Sequence, residues 1–161
     1  MSSQLADPTY QGDLGNGLIR RWSTAADQPK IGQCLATVFR PNADAPLNVR
    51  SIDEVRILMS GAHPFMGPGD FAIVEDTNLP ERPVVACTCC WSHTWSYAGI
   101  PFGVGQPELV ATLPEYRNRG LVRALFEMAH ARSAAKGEMM QVITGMPYFY
   151  RQFSYEYAID P

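Results

Sequence analysis

The amino-acid sequence predicts an α+β domain in which helices pack on a mixed β-sheet, and two observations lead to this prediction. The first part of the chain is dominated by runs rich in β-branched and aromatic residues, at positions 71–76, 84–97 and 100–113, which are typical of strands. The second part contains one strand–helix–strand succession around residues 120–136, as in a crossover between parallel strands. A mixed sheet covered by helices satisfies both patterns.

Composition supports one globular domain and limits its partners. The 161 residues are 46% apolar and 18% charged, which suffices for a core of ordinary size. The net charge is −3 and no block of like charges occurs, so neither nucleic acid nor an anionic membrane is expected as the main partner. No apolar run approaches the roughly 18 residues of a membrane span, and the N-terminus lacks the apolar core of a signal peptide. The sequence therefore predicts a soluble, cytoplasmic protein.

The N-terminal residues are expected to be a lead-in to a single domain. Residues 1–16 are polar and rich in glycine, and we expect them to be loosely held. Residues 17–161 show no internal repeat and no linker, which predicts one domain. The run from 17 to 24 alternates between apolar and polar residues and predicts the first strand.

Two helices are expected between this strand and residue 60. Asp27 and Pro29 provide a cap and a first-turn proline, which predicts a helix that ends before Pro41. Ser51, with Glu54 three residues later, predicts a capping box at the start of a second helix. The apolar residues expected on the inner face of the second helix are Val55, Ile57 and Leu58.

The two long strands and the C-terminal elements complete the prediction. A tight turn at Ala98-Gly99 is expected to join the strands, and Gly105 and Pro107 predict a bulge in the second one. A helix from 120 to 136 ends at Gly137. After it we expect a buried strand at 139–145, a short helix at 147–153 and a last strand at 154–160.

The four cysteines are expected to be reduced and buried. Strand alternation places Cys87 and Cys89 on one face and Cys90 on the other, and neighbours two apart on a strand rarely have disulfide geometry. No second pair of cysteine or histidine residues completes a zinc site, so no metal is expected. An enzyme that uses these cysteines is an alternative, although the sequence places no base beside them.

The segment from Val110 to Leu125 predicts an anion-binding turn. A strand leads into a loop with a glycine and then into an amphipathic helix, whose first N–H groups lack partners within the helix. Arg117, Arg119 and Arg123 add positive charge at the same place. The alternative is an ordinary basic turn between a strand and a helix.

This segment resembles motif A of the GNAT acetyltransferase superfamily, whose signature is Gln/Arg-x-x-Gly-x-Gly/Ala. Arg117 matches the first position and Gly120 matches the glycine, whereas Val122 replaces the final small residue. The form of the turn, followed by an aliphatic residue and an arginine, looks like the branch that contains the enhanced intracellular survival protein, and specifically its first domain. The resemblance covers most of the chain from residue 17 to residue 160.

The resemblance implies acetyl-CoA as the acetyl donor and a GNAT-like sheet whose strands splay at the acetyl-CoA site. The pantetheine arm would pair with the backbone of Val110, Ala111 and Thr112. The residues that would hold the pyrophosphate are Arg117, Asn118, Arg119, Gly120, Leu121, Val122 and Arg123. The chain would be a single GNAT domain, or the N-terminal domain of a longer protein.

The resemblance also implies a general acid. A tyrosine in the pattern Tyr-x-x-Phe-Gly-Tyr/Phe commonly protonates the departing thiolate, and Tyr150 stands at its first position, with Ser154 in place of the glycine. Tyr148, Tyr155 and Tyr157 are nearby alternatives.

The general base is less constrained by the sequence. Glu108 lies at even spacing from Val110 and Thr112, so it is expected to share their face and could deprotonate an ammonium. The alternative is a carboxylate that serves solubility at an edge strand. His63 and His93 are other conceivable bases but are expected to be structural, as is His130 on the helix.

The acceptor is expected to be a small-molecule or peptide amine that the sequence does not identify. Aromatic and apolar residues around the central strands could line its channel: Phe65, Met66, Trp91, Trp95, Tyr97 and Phe102. Because superfamily sheets usually have a further strand, another segment or a second copy of the chain is expected to complete the sheet. The leading hypothesis is an N-acetyltransferase that uses direct attack, and the alternative is a catalytically silent CoA-binding or regulatory module.

Overall fold

A six-stranded mixed sheet organises the protein, for which a computed structural model describes residues 2–158. The strands follow one another in space as they do in sequence, and all neighbours are antiparallel except the last pair, which is parallel. The strands are β1 (Gln11–Asp13), β2 (Leu18–Trp22), β3 (Phe71–Asp76), β4 (Val84–Tyr97), β5 (Ile100–Thr112) and β6 (Met140–Gln141). The predicted α+β fold is therefore confirmed.

Helices cover both faces of this sheet. They are α1 (Ser2–Leu5), α2 (Gln28–Val38), α3 (Val49–Leu58) and α4 (Leu121–Ala135), and 3-10 turns occur at Ala25–Asp27, Pro114–Tyr116 and Phe149–Phe153. Alternation along β3 sends Phe71 and Ile73 into one core with α2 and α3, and Ala72 and Val74 into another with α4. None of the helices in the described residues is long and apolar enough to cross a membrane.

The N-terminal residues belong to the sheet and are not a loosely held lead-in. β1 pairs with β2, with Gly12 opposite Arg20. The indole Nε1 of Trp22 donates a hydrogen bond of 2.8 Å to the carbonyl oxygen of Leu5. The prediction was wrong here because polar residues on an edge strand need not alternate with apolar ones.

The second helix begins earlier than predicted. Asn48 takes the N-cap position of α3, so Ser51 lies buried inside the helix and forms no capping box with Glu54. The shifted start also changes the buried face: Val55 and Leu58 are buried as expected, but Ile57 is 61% exposed. Asn is as good a cap as Ser, and the sequence pattern alone does not choose between them.

The C-terminal strands are much shorter than predicted. Only Met140 and Gln141 pair with β5, and Val142 N adds a final hydrogen bond of 2.9 Å to Gly105 O before the chain leaves the sheet. Met139 and Met140 are exposed rather than buried. Residues 155–158 form no strand, and residues 159 and 160 of the predicted last strand lie outside the described residues.

The bulge in β5 lies nearer the end of the strand than predicted. Gly105 and Pro107 pair in regular register with β4. Position 105 needs a glycine for another reason, since a side chain there would overlap Glu138 and Ser133. The register shifts instead at Leu109, whose φ is +52°. Two residues of β5 there oppose Thr88 alone, which is the count of a β-bulge.

The bulge reverses which residues of β5 share a face. Cys89 pairs with Glu108 and Cys87 pairs with Ala111. Because Cys87 and Cys89 share a face, Glu108 lies on the side of Ala111 and not on the side of Thr112, whose partner is Ala86. The predicted common face of Glu108, Val110 and Thr112 is therefore wrong, since the extra residue changes the alternation.

Buried ion pairs join β2, β3 and the start of α2. Arg21 Nη2 lies 2.7 Å from Asp27 Oδ1 and 3.1 Å from Glu75 Oε2, and Arg82 Nη2 lies 2.5 Å from Glu75 Oε1. Burial favours a higher pKa for Asp27 and for Glu75, but the hydrogen bonds from their partners outweigh it and hold both pKa values below their usual range. Both carboxylates are thus ionised and depend on Arg21.

Replacement of Arg21 by methionine should lower the free energy of unfolding by about 3–5 kcal/mol, because two buried carboxylates lose their shared cation. Urea unfolding followed by circular dichroism measures this loss. The matched control is Arg56→Met, which breaks an exposed pair with Asp53 and should cost less than about 1 kcal/mol. Equally small losses in both variants would contradict the importance of the buried network.

Candidate active site

The turn between β5 and α4 has the geometry of an anion cradle. Gly120 occupies the N-cap position of α4 with φ +73°, and Asn118 also has a positive φ, +60°. The first helical hydrogen bond joins Ala124 N to Gly120 O at 3.1 Å, and no side chain in the described residues caps the helix. The N–H groups of Leu121 and Val122 therefore lack partners within the helix.

Three arginine side chains surround this helix end. Arg117 Nε donates to Thr112 O at 3.4 Å, and Arg119 Nη2 donates to Glu115 O at 2.9 Å while its guanidinium lies 4.9 Å from the ring centroid of Tyr116. Arg123 lies on the first turn of α4. All three side chains are exposed, so their charged groups are accessible to a dissolved anion.

The main chain of β5 has an open edge next to this cradle. β6 pairs with Val104 and Gly105, and Met139 N donates to Gly103 O, so residues 106–112 of β5 have no paired strand on that side among the described residues. Leu113 N bonds to Val85 O at 2.9 Å, so alternation directs the polar main-chain groups of Ala111 toward β4. Those of Val110 and Thr112 are directed to the open edge. The predicted splay of the strands is thus present beside the cradle.

Tyr150 lies on the 3-10 turn at Phe149–Phe153, beside α4. Its ring stacks on Phe126 of α4 with centroids 5.9 Å apart and an interplanar angle of 23°. The ring borders a small cleft of about 70 Å³ whose walls include Gly145 and Tyr157. Burial, and then the negative charge of Glu108, raises the pKa of Tyr150, so the hydroxyl stays protonated and can donate a proton.

The other tyrosines of this region have different environments. Tyr155 donates to Gln141 Oε1 at 2.8 Å and lies 3.0 Å from His130 Nε2, so its hydroxyl is already used. The hydroxyl of Tyr157 accepts the N–H of Tyr148. Tyr148 itself is largely exposed. Tyr150 differs from these three tyrosines because it is half-buried and the charge of Glu108 contributes to its raised pKa.

Glu108 is held on the same side of the site by two donors. Gln106 Nε2 donates to its Oε1 at 2.7 Å, and Thr144 Oγ1, in the segment that follows β6, donates to the same oxygen at 3.1 Å. These contacts bring a carboxylate from β5 next to the segment that leads to Tyr150. The sequence did not indicate Gln106 or Thr144, although the two-residue spacing of Gln106 and Glu108 places them on one strand face.

Four aromatic rings meet where the loop at 60–70 crosses β4. His63, Phe65, Trp91 and His93 form a cycle in which each ring centroid lies 5.1–5.9 Å from the next. The two histidines, considered singly in the sequence, are therefore neighbours.

The other residues expected to line an acceptor channel are distributed differently. Met66 is buried in the core, and Tyr97 is 80% exposed at the end of the β4–β5 hairpin. Trp95 and Phe102 pair across the two strands beyond His93. Only part of the expected channel therefore lies near Glu108.

The cysteines are unsuited to nucleophilic catalysis. All four are buried free thiols. Burial, and then the charge of Glu138, raises the pKa of Cys90 to about 12, and burial raises that of Cys89. A hydrogen bond with Cys34, and then burial, raises the pKa of Cys87. These thiols stay protonated near neutral pH, which argues against a cysteine-dependent enzyme.

A bulged strand that splays from its neighbour beside an arginine-rich helix N-terminus is the architecture of an acetyltransferase domain. Residues 20–158 match the family model described as an acetyltransferase (GNAT) domain, so the chain belongs to the GNAT acetyltransferase family. No protein among the curated sequences matches the chain. The membership therefore rests on the family model, and the solved structures support the fold.

Solved structures show the same fold at low sequence identity. A GNAT family acetyltransferase from Brucella melitensis in complex with acetyl-CoA has a TM-score of 0.68 and 19% identity over 89% of this chain and 85% of its own. A Trypanosoma brucei acetyltransferase has a TM-score of 0.63 and 18% identity over 89% and 96%. A GCN5-related N-acetyltransferase from Kribbella flavida has a TM-score of 0.62 and 23% identity over 84% and 32%, so this chain corresponds to a third of that protein.

The charge of Glu108 should be measurable at Tyr150. Glu108→Gln removes the negative charge and should lower the pKa of Tyr150, although burial keeps it above the ordinary value of about 10. Titration of tyrosine labelled with ¹³C at Cζ, with the signal assigned by its loss in Tyr150→Phe, measures the change. Glu81→Gln, at an exposed site on another loop, is the control. An unchanged titration midpoint in Glu108→Gln would show that the two groups do not interact.

Proposed function

We propose that this protein is an N-acetyltransferase that transfers an acetyl group from acetyl-CoA directly to an amine. The observation that carries the proposal is that Glu108 and Tyr150 contact adjacent residues of one segment near the open edge of β5. Thr144 donates to Glu108 at 3.1 Å, and the ring of Tyr150 packs against Gly145. A carboxylate that accepts a proton and a hydroxyl that donates one are the two groups that acetyl transfer to an amine requires.

The donor fits the residues of the open edge and the cradle. The pyrophosphate of acetyl-CoA would bind the free N–H groups at the start of α4 and the guanidinium groups of Arg117, Arg119 and Arg123. Val110 and Thr112 would pair with the amides of the pantetheine arm, whereas the polar groups of Ala111 are directed to β4. The acetyl-CoA complex of the Brucella melitensis relative supports the choice of donor.

Each residue has a separate role in the transfer. Glu108 would accept a proton from the ammonium of the acceptor, which leaves a neutral amine. The amine nitrogen then forms a bond to the acetyl carbon while the bond between that carbon and sulfur breaks. Tyr150 would give its proton to the departing sulfur, and the nitrogen would lose its second proton to the Tyr150 phenolate as the neutral amide forms. Glu108 would then release the proton of the ammonium to solvent. The raised pKa of Tyr150 supports this role because it keeps the proton available.

The sequence of the turn between β5 and α4 also supports the assignment of this chain to one branch of the GNAT family. The arginine–glycine form of residues 117–123, with Val122 in place of a small residue, favours the branch that contains the enhanced intracellular survival protein. We infer that the chain acts as a domain of that type. A CoA-binding module without turnover remains the alternative that the next experiment tests.

Tyr150→Phe should reduce kcat by about 10²–10⁴-fold while the Kd for acetyl-CoA stays within about twofold, because the variant loses a proton donor and keeps the ring that stacks on Phe126. Thiol release with a panel of amines measures kcat, and calorimetry measures the Kd. Tyr148→Phe, on the exposed neighbour, is the control and should keep full activity. A wild-type protein that binds acetyl-CoA but never releases CoA above background would instead support the silent module.

The cradle makes a separate prediction for the donor. The double variant Arg117→Ala/Arg119→Ala should weaken acetyl-CoA binding at least about tenfold, because charge-assisted hydrogen bonds to phosphate are lost. Activity with acetyl-pantetheine, which lacks the pyrophosphate, should not change. Arg50→Ala/Arg56→Ala removes two exposed arginines from α3 and serves as the control. If the double variant lost the same activity with acetyl-CoA and with acetyl-pantetheine, the pyrophosphate would bind somewhere other than at these two arginines.

A further inference from the structure

We propose that the aromatic cycle of His63, Phe65, Trp91 and His93 is the acceptor subsite, and that it selects a primary amine carried on a flat apolar ring. The spacer between the amine and the ring would contain two or three carbon atoms. The inference rests on the proposed function for the claim that the bound amine becomes acetylated. Binding of such an amine to the cycle can be tested without turnover.

The register of the sheet places this cycle on the face of Glu108. Trp91 pairs with Gln106 and Cys89 pairs with Glu108, and residues two apart on β4 share a face. Gln106 also donates to Glu108 at 2.7 Å. Trp91 lies two residues along β4 from the partner of Glu108, a separation of about 7 Å. A ligand with its ring against Trp91 and its ammonium at Glu108 therefore needs only a short spacer between the two groups.

The cycle itself is suited to a planar partner. The rings of His63 and Phe65 meet edge to face at 71°, and the other three neighbouring pairs are tilted by 44–60°, so no pair is stacked face to face. Aromatic groups bind one another best in offset or edge-to-face arrangements, and these tilted rings offer an incoming ring such contacts. Phe65 is 48% exposed although it belongs to an aromatic cluster, which makes it the side of the cycle that an incoming ring reaches first.

Two buried polar atoms of the cycle have no partner. Trp91 Nε1 and His93 Nε2 are inaccessible to solvent and make no hydrogen bond within residues 2–158. Buried polar atoms of native proteins are nearly always paired, so both call for an explanation. A hydroxyl group on a ring bound beside Phe65 would supply a partner to one of them.

Glu108 supplies a carboxylate on the face of the aromatic cycle. It is held by Gln106 and Thr144 and has a free carboxylate oxygen within the described residues. Asp70, the acidic residue of the loop at 60–70, instead accepts the N–H of Gly67 and approaches Arg132 of α4. An arylalkylamine, with one ammonium and one ring, matches the carboxylate of Glu108 and the aromatic wall.

The test compares phenylethylamine, tyramine, spermidine and glucosamine as acceptors. We expect kcat/KM to be highest for the two aromatic amines. In Phe65→Ala the KM for phenylethylamine should rise about tenfold with kcat changed less than about twofold, because an aromatic contact is lost and the reacting groups remain. Tyr97→Ala, an exposed aromatic residue on the same strand as His93, is the matched control and should behave as wild type.

Saturation-transfer NMR supplies a readout that does not depend on turnover. The ring protons of phenylethylamine should receive saturation from the wild-type protein and from Tyr97→Ala, but much less from Phe65→Ala. A preference for spermidine or glucosamine, with CoA released, would overturn the subsite and leave the proposed function intact. If no amine led to release of CoA, the proposed function would be overturned. The saturation-transfer signal would still show whether the aromatic cycle binds the ring of phenylethylamine.

Discussion

The β-bulge at Leu109 is the constraint on which the rest of the site depends. It is held by Thr88, whose hydroxyl donates to Glu108 O at 2.9 Å, and by Cys87 and Cys89, which fix the register on either side. β5 has one extra residue at the bulge. The main-chain groups after the bulge can therefore face the open edge, while the side chain of Glu108 lies on the face of the sheet that α2 and α3 cover. In a regular strand Glu108 would share a face with Val110 and Thr112. The main chain of these two residues could then face the open edge, but the carboxylate of Glu108 would lie on the opposite face of the sheet.

In the proposed function the two halves of β5 would contact different ligands. The half after the bulge leads into the arginine-rich turn and contains the polar main-chain groups that suit an extended donor. The half before it carries Gln106 and Glu108 toward the aromatic cycle on β4. The donor is easier to infer than the amine because the turn that would hold it has a local sequence signal, whereas the acceptor side is assembled from separate segments.

The sequence predicted the fold class, the long hairpin and the glycine turn before α4, since each has a local signal. These signals are β-branched runs, a tight turn with positive φ at Ala98 and Gly99, and a glycine before an amphipathic helix.

The position of the bulge was not predicted, because it falls on Leu109, an ordinary residue that its neighbours force into a positive φ. Gly105 and Pro107, the residues expected to form it, fit the regular ladder. The contact of Glu108 with Thr144, and the ring contacts of His63 with Trp91 and of Phe65 with His93, join residues 28 or more positions apart. Local patterns contain no information about such pairs. The positions of Tyr150 and of the cradle were predicted through a family motif, and their roles stay predictions.

Arg123 links the cradle to the turn that carries Tyr150. Its Nη1 lies 3.4 Å from Gln152 O, and its guanidinium lies 5.1 Å from the ring centroid of Phe153, while its own N–H group belongs to the first turn of α4. An anion bound at the helix N-terminus would draw on the same side chain that contacts the Tyr150 turn. If acetyl transfer proceeds as proposed, the donor would bind before the amine, because its pyrophosphate would contact the same side chain that holds the Tyr150 turn.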